Sequence, residues 1–219
     1  MGDHCMEDLI LYGSGGMARE VVELVADINA VRPTWRILGY IDDVKGDSSE
    51  LVNGFPLLGT WEMLKDISGR PNVIICVSNP SDKEAIYRRI QNCCIRFPTL
   101  IHPSAKVARN AQIGEGSIIG TDCIVSTGVR IGNHVFLNMR TVVGHDSVIM
   151  DFSSCLVGCI IAGGVVVRDS ALLGSGCIIM ERTTIGCKSK VSMGSVVSFD
   201  VEDHHVVMSR PSKSMFFGE

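Results

Sequence analysis

The feature that constrains this chain most is an aliphatic side chain at every sixth position from Ile101 to Val197, with no insertion. Sixteen of these seventeen positions hold Ile, Leu or Val, and Cys155 is the exception. A helix repeats every 3.6 residues and a strand every two residues, so neither gives a period of six. A chain that turns a corner every six residues and stacks on itself does. The pattern therefore predicts a hexapeptide β-helix.

Small residues beside the repeat positions support this prediction. Ala, Ser, Thr or Cys usually stands two residues before the aliphatic position, and Gly follows six of the seventeen. Small side chains fit a crowded corner, and Gly permits backbone angles that other residues avoid. Cys155, Cys159 and Cys177 fall at inward or small positions, so we interpret them as core packing rather than as metal ligands.

The first hundred residues predict a separate α/β domain. Short apolar runs alternate with amphipathic segments, which is typical of a small parallel sheet with helices on its faces. The predicted elements are strand 9–12, helix 17–28, strand 37–41, a connector with a short strand at 55–59, a short helix at 61–67, strand 73–77 and helix 82–92. Ser81 is the expected cap of the last helix. We predict two domains, 1–98 and 99–219.

Composition excludes several classes of function. The formal net charge is −4 and there is no basic tract, so nucleic acid is not an expected partner. No apolar run approaches the roughly 20 residues that span a membrane, and the polar, acidic start does not resemble a signal peptide. The nine cysteines show no zinc-ligand spacing. Reduced thiols in a cytoplasmic protein are the expected state.

A glycine loop follows the first predicted strand. Gly13, Gly15 and Ala18 satisfy the pattern G-x-G-x-x-A between a strand and a helix. Such a loop exposes backbone N–H groups and a helix N-terminus, both of which suit phosphate. NAD binding is disfavoured because about ninety residues form only half of a dinucleotide fold, and because Asp42 lies late for a ribose-binding acid. A tight turn that only packs, or a site for a nucleotide-linked substrate, are the remaining interpretations, and we favour the substrate site.

A family resemblance rests on three motifs together with the repeat. Residues 12–16 read Tyr-Gly-Ser-Gly-Gly, residues 39–43 read Gly-Tyr-Ile-Asp-Asp, and His145 precedes Asp146. Over nearly the whole chain this resembles bacterial sugar acetyltransferases, which include bacillosamine- and perosamine-pathway N-acetyltransferases and sialic acid O-acetyltransferase relatives. The resemblance implies an α/β N-terminal Rossmann-like domain followed by an all-β left-handed parallel β-helix with eighteen residues in each triangular coil.

The resemblance also implies a sugar-nucleotide site in the first domain. The matching positions are Gly15, Gly16, Met17, Asp42, Asp43 and Ser78. The family often has His where Met17 stands and Gly where Ser78 stands, so this chain departs from its pattern at both positions.

His145 is the candidate catalytic base. Its segment resembles the family's catalytic segment, in which His precedes an acid, and imidazole accepts protons near neutral pH. Asp146 would fix the tautomer only if the backbone turns there, because adjacent residues on a strand point in opposite directions. A surface histidine at a corner is the alternative. No metal is expected, because His134 and His145 are eleven residues apart and no third histidine lies in the body of the repeat.

Stacking of eighteen-residue coils predicts the neighbours of the base. Gly163 would lie directly above His145 and Thr127 directly below it. Gly163 and Gly164 would leave open space and free backbone N–H groups that could stabilise a thioester oxyanion.

The resemblance supplies the coenzyme contacts. The family carries a second His nine residues after the base, and here that residue is Ser154, which cannot titrate near neutral pH. Further contacts to acetyl-CoA correspond to Gly163, Ser175 and Met193. The basic segment 210–213 resembles a family segment that suits coenzyme phosphates.

The predicted function is acetyl-CoA-dependent N-acetylation of a nucleotide-linked amino sugar. O-acetylation of a sialic-acid-like sugar and a non-catalytic binding role on the same fold remain as alternatives. The resemblance implies a homotrimer with sites between neighbouring subunits, and an apolar outer surface supports association. The outward apolar residues are Phe136, Val142, Val148, Leu156, Ile160, Val166, Leu172 and Ile178.

Overall fold

The computed structural model describes residues 6–46, 51–67 and 69–209. The first domain is a five-stranded sheet with helices on both faces. Its elements are β1 Glu7–Tyr12, α1 Gly16–Val31, β2 Trp35–Ile41, β3 Leu51–Val52, β4 Phe55–Gly59, α2 Met63–Asp66, β5 Asn72–Ile75 and α3 Pro80–Ile90. The strand order is β3-β4-β2-β1-β5. All neighbours are parallel except β3 and β4, so the predicted parallel sheet is confirmed and gains a short antiparallel edge.

The central strand β1 explains why this sheet is covered on both faces. Leu9 and Leu11 pack with α1, while Ile10 and Tyr12 pack with α3 on the other side. A strand buried on both faces carries a continuous apolar run rather than an alternating one. Residues 9–12 therefore lie at the centre of the hydrophobic core of the first domain.

Two predicted helix boundaries were wrong. The last helix begins at Pro80, and the Asn79 side chain accepts hydrogen bonds from the amides of Ser81 and Asp82. Asn79 is therefore the N-cap rather than Ser81, and Pro80 occupies the first turn, where its missing N–H costs nothing. The helix predicted at 61–67 is the single turn α2.

The second domain is a parallel β-helix of two-residue strands. These are β6 100–101, β7 106–107, β8 112–113, β9 118–119, β10 124–125, β11 130–131, β12 136–137, β13 142–143, β14 148–149, β15 154–155, β16 160–161, β17 166–167, β18 172–173, β19 178–179, β20 184–185, β21 190–191, β22 196–197 and β23 206–207. From β6 to β22 each strand pairs in parallel with the strand eighteen residues away, as Val142 does with Ile160, and β23 pairs with β21 at an offset of sixteen residues. The predicted coil length is thus confirmed.

Three parallel sheets form the faces of the prism. Face 1 contains β7, β10, β13, β16, β19 and β22; face 2 contains β8, β11, β14, β17 and β20; face 3 contains the remaining strands from β6 to β23. The repeat residues fill the axis together with Cys155, Cys159 and Cys177, which confirms their role in the core. Ile101 is 37% exposed because it lies in the first coil, where the stack ends.

Three corners join the faces, and each is named here by one residue. The His145 corner follows face 1, the His134 corner follows face 2, and the Met139 corner follows face 3. Non-glycine residues adopt positive φ at these corners, including Asp146 at 59° and Phe152 at 60°. The corners therefore aim side chains that a straight strand would send elsewhere.

The first domain covers the lower part of face 3. Phe136 and Ile118 are buried in the cluster that contains β1 and α1, and Leu156 packs against that cluster. The prediction that Phe136 and Leu156 belong to a free outer surface was therefore wrong. Their neighbour on the same face is the other domain of the same chain.

Helices α1 and α3 tie the first domain to the β-helix. Asp27 on α1 lies 2.8 Å from Nε2 of the buried His102. On α3, Glu84 accepts a hydrogen bond from Ser170, and Tyr87 packs against His134. The β-helix begins at Leu100, and the predicted domain boundary falls in the connection between α3 and that residue.

No helix among the residues described here is long and apolar enough to cross a membrane. Within the same ranges, no group of three or more His, Cys, Asp or Glu side chains is arranged to hold a metal ion.

Candidate active site

A cavity of about 530 Å³ opens at the carboxyl ends of β1, β2 and β5. Open α/β sheets bind ligands at this edge. All six predicted sugar-nucleotide positions line it. The full lining is Tyr12, 13–17, Asp42, Asp43, Val44, Cys76, Val77, Ser78, Asp82, Ala85, Ile86 and Arg89. The glycine loop, the Asp pair and the end of the third strand of the prediction are therefore brought together.

The glycine loop presents the open N-terminus of α1 to this cavity. Gly13 has φ +97° and passes so close to β5 that a Cβ would lie 3.2 Å from the carbonyl oxygen of Cys76. Gly15 is the N-cap; in the part of the chain that the structure describes, no side chain caps the helix and no atom lies within 4 Å of an added Cβ there. The first-turn amides of α1 are therefore available to an anion.

Asp42 holds the loop in place. Its Oδ2 accepts hydrogen bonds from the amide and hydroxyl of Ser14, at 3.0 and 2.5 Å, and its Oδ1 accepts from the amides of Val44 and Lys45. Burial alone would raise the pKa of Asp42, but these hydrogen bonds outweigh it and lower that pKa below its ordinary value. Because the Asp42 carboxylate already accepts four hydrogen bonds, its main role is to fix the shape of the cavity rather than to contact a ligand.

Asp43 is the carboxylate that faces the ligand space. Its Oδ2 accepts from the Tyr12 hydroxyl at 2.7 Å and pairs with Arg89, and its Oδ1 accepts from the amide of Trp61 at 3.0 Å. Burial, and then the hydrogen bond to Asp43, raise the pKa of Tyr12, so the hydroxyl remains a donor. Sequence reasoning missed Tyr12 and Arg89 as partners, because Arg89 is 46 residues from Asp43 in the chain.

The candidate base lies on an exposed corner of the β-helix. Nδ1 of His145 is 2.9 Å from Oδ2 of Asp146, and the two side chains are 66% and 73% exposed. Asp146 has φ +59°, and its amide donates to the carbonyl of Thr127 in the coil below. The backbone turn that the pairing requires is therefore present.

Gly163 stacks on the base as predicted. A Cβ at Gly163 would lie 2.5 Å from Nε2 of His145, so any side chain there would displace the imidazole. The amide of Gly164 donates to the carbonyl of His145 at 2.8 Å. Of the two amides predicted to be free, only that of Gly163 donates no hydrogen bond within the part of the chain described.

The predicted coenzyme contacts separate into two groups. Ser175 and Met193 lie one coil apart on the Met139 corner, and Met193 is 71% exposed. Ser154 instead lies on face 3, fully buried, and its hydroxyl accepts from the Lys83 ammonium at 2.9 Å. The predicted coenzyme contact at Ser154 does not fit this arrangement, because the first domain covers that residue. The basic segment 210–213 lies outside the described residues.

Within one chain the candidate base His145 and the glycine-loop cavity are separate. The cavity is lined only by residues 12–89, whereas His145 lies on the β-helix. A second cavity of about 230 Å³ runs from Met17, which lines both cavities, to Asn138 and Met139 at the Met139 corner. The two cavities thus share Met17 as a lining residue.

Comparison with known proteins places these features in a family. Residues 8–90 match the family described as PglD N-terminal domain. The chain is 28% identical over 172 residues to the GDP-perosamine N-acetyltransferase of Escherichia coli O157:H7, covering 78% of this chain and 77% of that protein. It is 34% identical over 119 residues to the UDP-N-acetylbacillosamine N-acetyltransferase of Bacillus subtilis strain 168, covering 52% of this chain and 51% of that protein.

A solved structure extends the similarity to both domains. The acetyltransferase domain of PglB from Neisseria gonorrhoeae FA1090, in complex with acetyl coenzyme A, superposes with a TM-score of 0.85 at 27% identity. It covers 96% of this chain and 100% of that one. The likeness confirms a Rossmann-like domain followed by a left-handed parallel β-helix. Both domains of the chain are thus similar to hexapeptide-repeat sugar acetyltransferases of the perosamine and bacillosamine type, and the chain is an acyltransferase.

Proposed function

We propose that this chain transfers the acetyl group of acetyl-CoA to the amino group of a sugar carried on a nucleoside diphosphate, with His145 as the general base. The names of the perosamine and bacillosamine relatives, and the acetyl coenzyme A complex of the PglB domain, support both substrates. The observation that carries the proposal is the His145–Asp146 pair, held at a corner beside a glycine.

The pair fixes which nitrogen can act as the base. Nδ1–H donates to the Asp146 carboxylate, so Nε2 carries the lone pair and points towards the space beside Gly163. Nε2 takes a proton from the acceptor amine as the amine nitrogen attacks the thioester carbonyl carbon. The new N–C bond forms, the C–S bond breaks, and the imidazolium returns the proton to the departing thiolate. No covalent acyl-enzyme is required.

Gly163 serves the transition state in two ways. Its missing side chain leaves room for the thioester beside Nε2, and its unused amide can donate to the oxygen that becomes negative in the tetrahedral intermediate. Its φ is not positive, so the backbone conformation does not require glycine at this position. Space beside the base is the physical reason for it.

A trimer would complete the site. Face 1 lies between the Met139 corner and the His145 corner, and its outward side chains at Ile124, Ile160, Ile178 and Val196 are exposed. Three copies packed with face 1 towards a common axis would bury this apolar ladder. That packing would set His145 of one subunit beside Ser175 and Met193 of the next, near the cavity that leads from Met17. We propose a homotrimer whose sites lie between subunits.

The free cysteine thiols bear on the cellular compartment of the protein. The eight cysteines among the described residues are free. A compartment that keeps thiols reduced is consistent with this, and we propose the cytoplasm.

The test is an acetyl-transfer assay in which thiol release from acetyl-CoA is measured. The acceptors are a panel of nucleotide amino sugars, free amino sugars and sialic acids. We expect turnover with a nucleotide amino sugar, and a drop in kcat of about 10²–10⁴ for His145→Ala. Asp146→Asn should cost less, since it affects only the orientation of the base. His205→Ala removes an exposed histidine near the end of the β-helix and is the matched control. Turnover only with sialic acids would support O-acetylation instead, and a His145→Ala variant that keeps more than a tenth of kcat would remove the base assignment.

Shared sites have their own signature. Light scattering should give about three times 23.7 kDa. A mixture of His145→Ala subunits with Ser175→Trp subunits should recover up to about a quarter of the activity, because that fraction of sites combines two intact corners in a randomly mixed ring. A fully active monomer would contradict the arrangement.

A further inference from the structure

The glycine-loop cavity is acidic for a site that receives a diphosphate. Among the described residues that line it, Asp42, Asp43 and Asp82 are carboxylates, and Arg89 is the only Lys or Arg. A nucleoside diphosphate sugar carries about two negative charges, and repulsion from carboxylates at this range costs affinity. The open N-terminus of α1 supplies only partial positive charge. The site therefore needs a full positive charge from its own lining.

Arg89 is placed to provide that charge. It lies on α3, its side chain is 44% exposed, and one terminal nitrogen pairs with Oδ2 of Asp43. A guanidinium has five N–H donors in a fixed fork. The other donors of Arg89 make no hydrogen bond within the described residues. Arg89 lines the same cavity as the glycine loop, from α3, which packs on the other face of the sheet from α1. Asp43 is held independently by Tyr12 and the amide of Trp61, so it does not need all of Arg89.

We propose that Arg89 is the cationic contact for the diphosphate of the nucleotide sugar, and that its bond to Asp43 fixes the fork in the orientation that receives phosphate. This rests on the proposed function, since it assigns a binding residue within that site. Arginine suits the role because its planar fork binds phosphate oxygens in pairs, whereas lysine offers a single point charge. The diphosphate would lie between the fork and the first-turn amides of α1.

The experiment measures nucleotide binding by calorimetry with the full-length protein. UDP, GDP and dTDP are compared with uridine, guanosine and thymidine for the wild type, Arg89→Gln and Arg89→Lys. Arg88→Gln is the matched control, because Arg88 is the adjacent residue of α3 and pairs with Glu84 rather than with the cavity. Circular dichroism melting of each variant shows whether the fold is retained.

A charge-assisted contact predicts a loss of about ten- to a hundredfold in diphosphate affinity for Arg89→Gln. The matching nucleoside should change by less than about threefold, Arg89→Lys should lose less than Arg89→Gln, and Arg88→Gln should bind as the wild type does. With the acetyl-transfer assay, KM for the nucleotide sugar should rise while kcat changes little, as expected when uniform binding is lost.

Two results would overturn the inference while leaving the proposed function standing. One is an Arg89→Gln variant that binds the diphosphate within twofold of the wild type. The other is an equal loss for diphosphate and nucleoside, which would mean that Arg89 acts only through the shape of the cavity. A wild-type protein that binds none of the three diphosphates would overturn the proposed function itself, and this inference with it.

Discussion

Replacing Lys83 by methionine should stabilise this protein, and should do so more at low pH than at high pH. Lys83 lies on α3, is 2% exposed, and reaches across the domain interface to the carbonyl of Ser153 at 3.3 Å and the hydroxyl of Ser154 at 2.9 Å. No carboxylate pairs with it among the described residues. A buried cation with only two neutral acceptors is expensive.

The magnitude follows from the pKa of Lys83. Burial lowers that pKa from 10.5 to about 7, opposed only in part by Cys155. In the unfolded chain the amine titrates at its ordinary value, so between these limits the unfolded state binds more protons than the folded state. Stability contributed by this group is therefore present above pH 10.5, falls as pH falls, and reaches its minimum below about pH 7. At about 1.4 kcal/mol for each unit between the two values, the full penalty is about 5 kcal/mol.

The measurement compares the free energy of unfolding of the wild type and of Lys83→Met at pH 6 and at pH 8.5. Other titrating groups contribute equally to both proteins at each pH, so they cancel in the difference. The penalty is nearly complete at pH 6 and has fallen by about 2 kcal/mol at pH 8.5. Urea unfolding should therefore show Lys83→Met more stable than the wild type, with the difference about 2 kcal/mol larger at pH 6 than at pH 8.5. Loss of the bonds to Ser153 and Ser154 lowers the gain by about 1–2 kcal/mol at both values and leaves the pH dependence intact.

Lys106→Met is the control, because Lys106 is an exposed lysine on the β-helix. It should shift the free energy of unfolding by the same small amount at both pH values. A difference between Lys83→Met and the wild type that is constant with pH within about 0.5 kcal/mol would refute the reasoning, since the amine would then titrate alike in both states.

Two further predictions concern the corners. Burial, with a smaller effect of nearby Lys83, lowers the pKa of His134 to about 4, and neither ring nitrogen has a hydrogen-bond partner among the described residues. Stability is therefore lost as pH falls from about 6.5 towards 4, and His134→Phe should move the acid-unfolding midpoint downwards, which circular dichroism can follow. Phe152 shows that phenylalanine is tolerated at this corner with φ +60°, so an unchanged midpoint would count against the cause given. Gly163→Ala should lower kcat about a hundredfold by displacing His145, with little change in melting temperature; undiminished kcat would mean that the space beside Nε2 is not used.

The β-helix could be predicted from sequence because each coil obeys the same local rule. An aliphatic residue at the axis and a small residue at the corner recur every six residues, so each coil repeats the evidence for the next. The position of Gly163 above His145 followed from this regularity together with the eighteen-residue coil that the family resemblance implies. The residues of the glycine-loop cavity were predicted from the family resemblance, and they come together because the glycine loop and the Asp pair both end parallel strands, whose ends meet at one edge of the sheet.

Contacts between the domains could not be predicted in this way. Lys83 and Ser154 are 71 residues apart, and no period relates a helix to the coil that it packs against. Ser154 was therefore assigned to the coenzyme by its distance from His145 along the chain. Half a coil of separation places it instead on face 3, under the first domain. Phe136 was misplaced for the same reason, because an apolar outward residue does not reveal what covers it.

Helix α3 connects the two halves of the proposed reaction. Asp82, Ala85, Ile86 and Arg89 recur at helical spacing and line the glycine-loop cavity, whereas Lys83, Glu84 and Tyr87 contact the β-helix. One rigid helix therefore both lines the proposed nucleotide site and fixes its position relative to the β-helix that carries His145. A methionine at position 83 would avoid the desolvation cost of the buried amine, but it would not fix the rotation of α3 through hydrogen bonds. The Lys83→Met variant separates the cost of Lys83 to stability from its effect on the orientation of α3. Greater stability with an unchanged KM for the nucleotide sugar would mean that Lys83 does not orient α3. Greater stability with a raised KM would make Lys83 a positioning residue for Arg89.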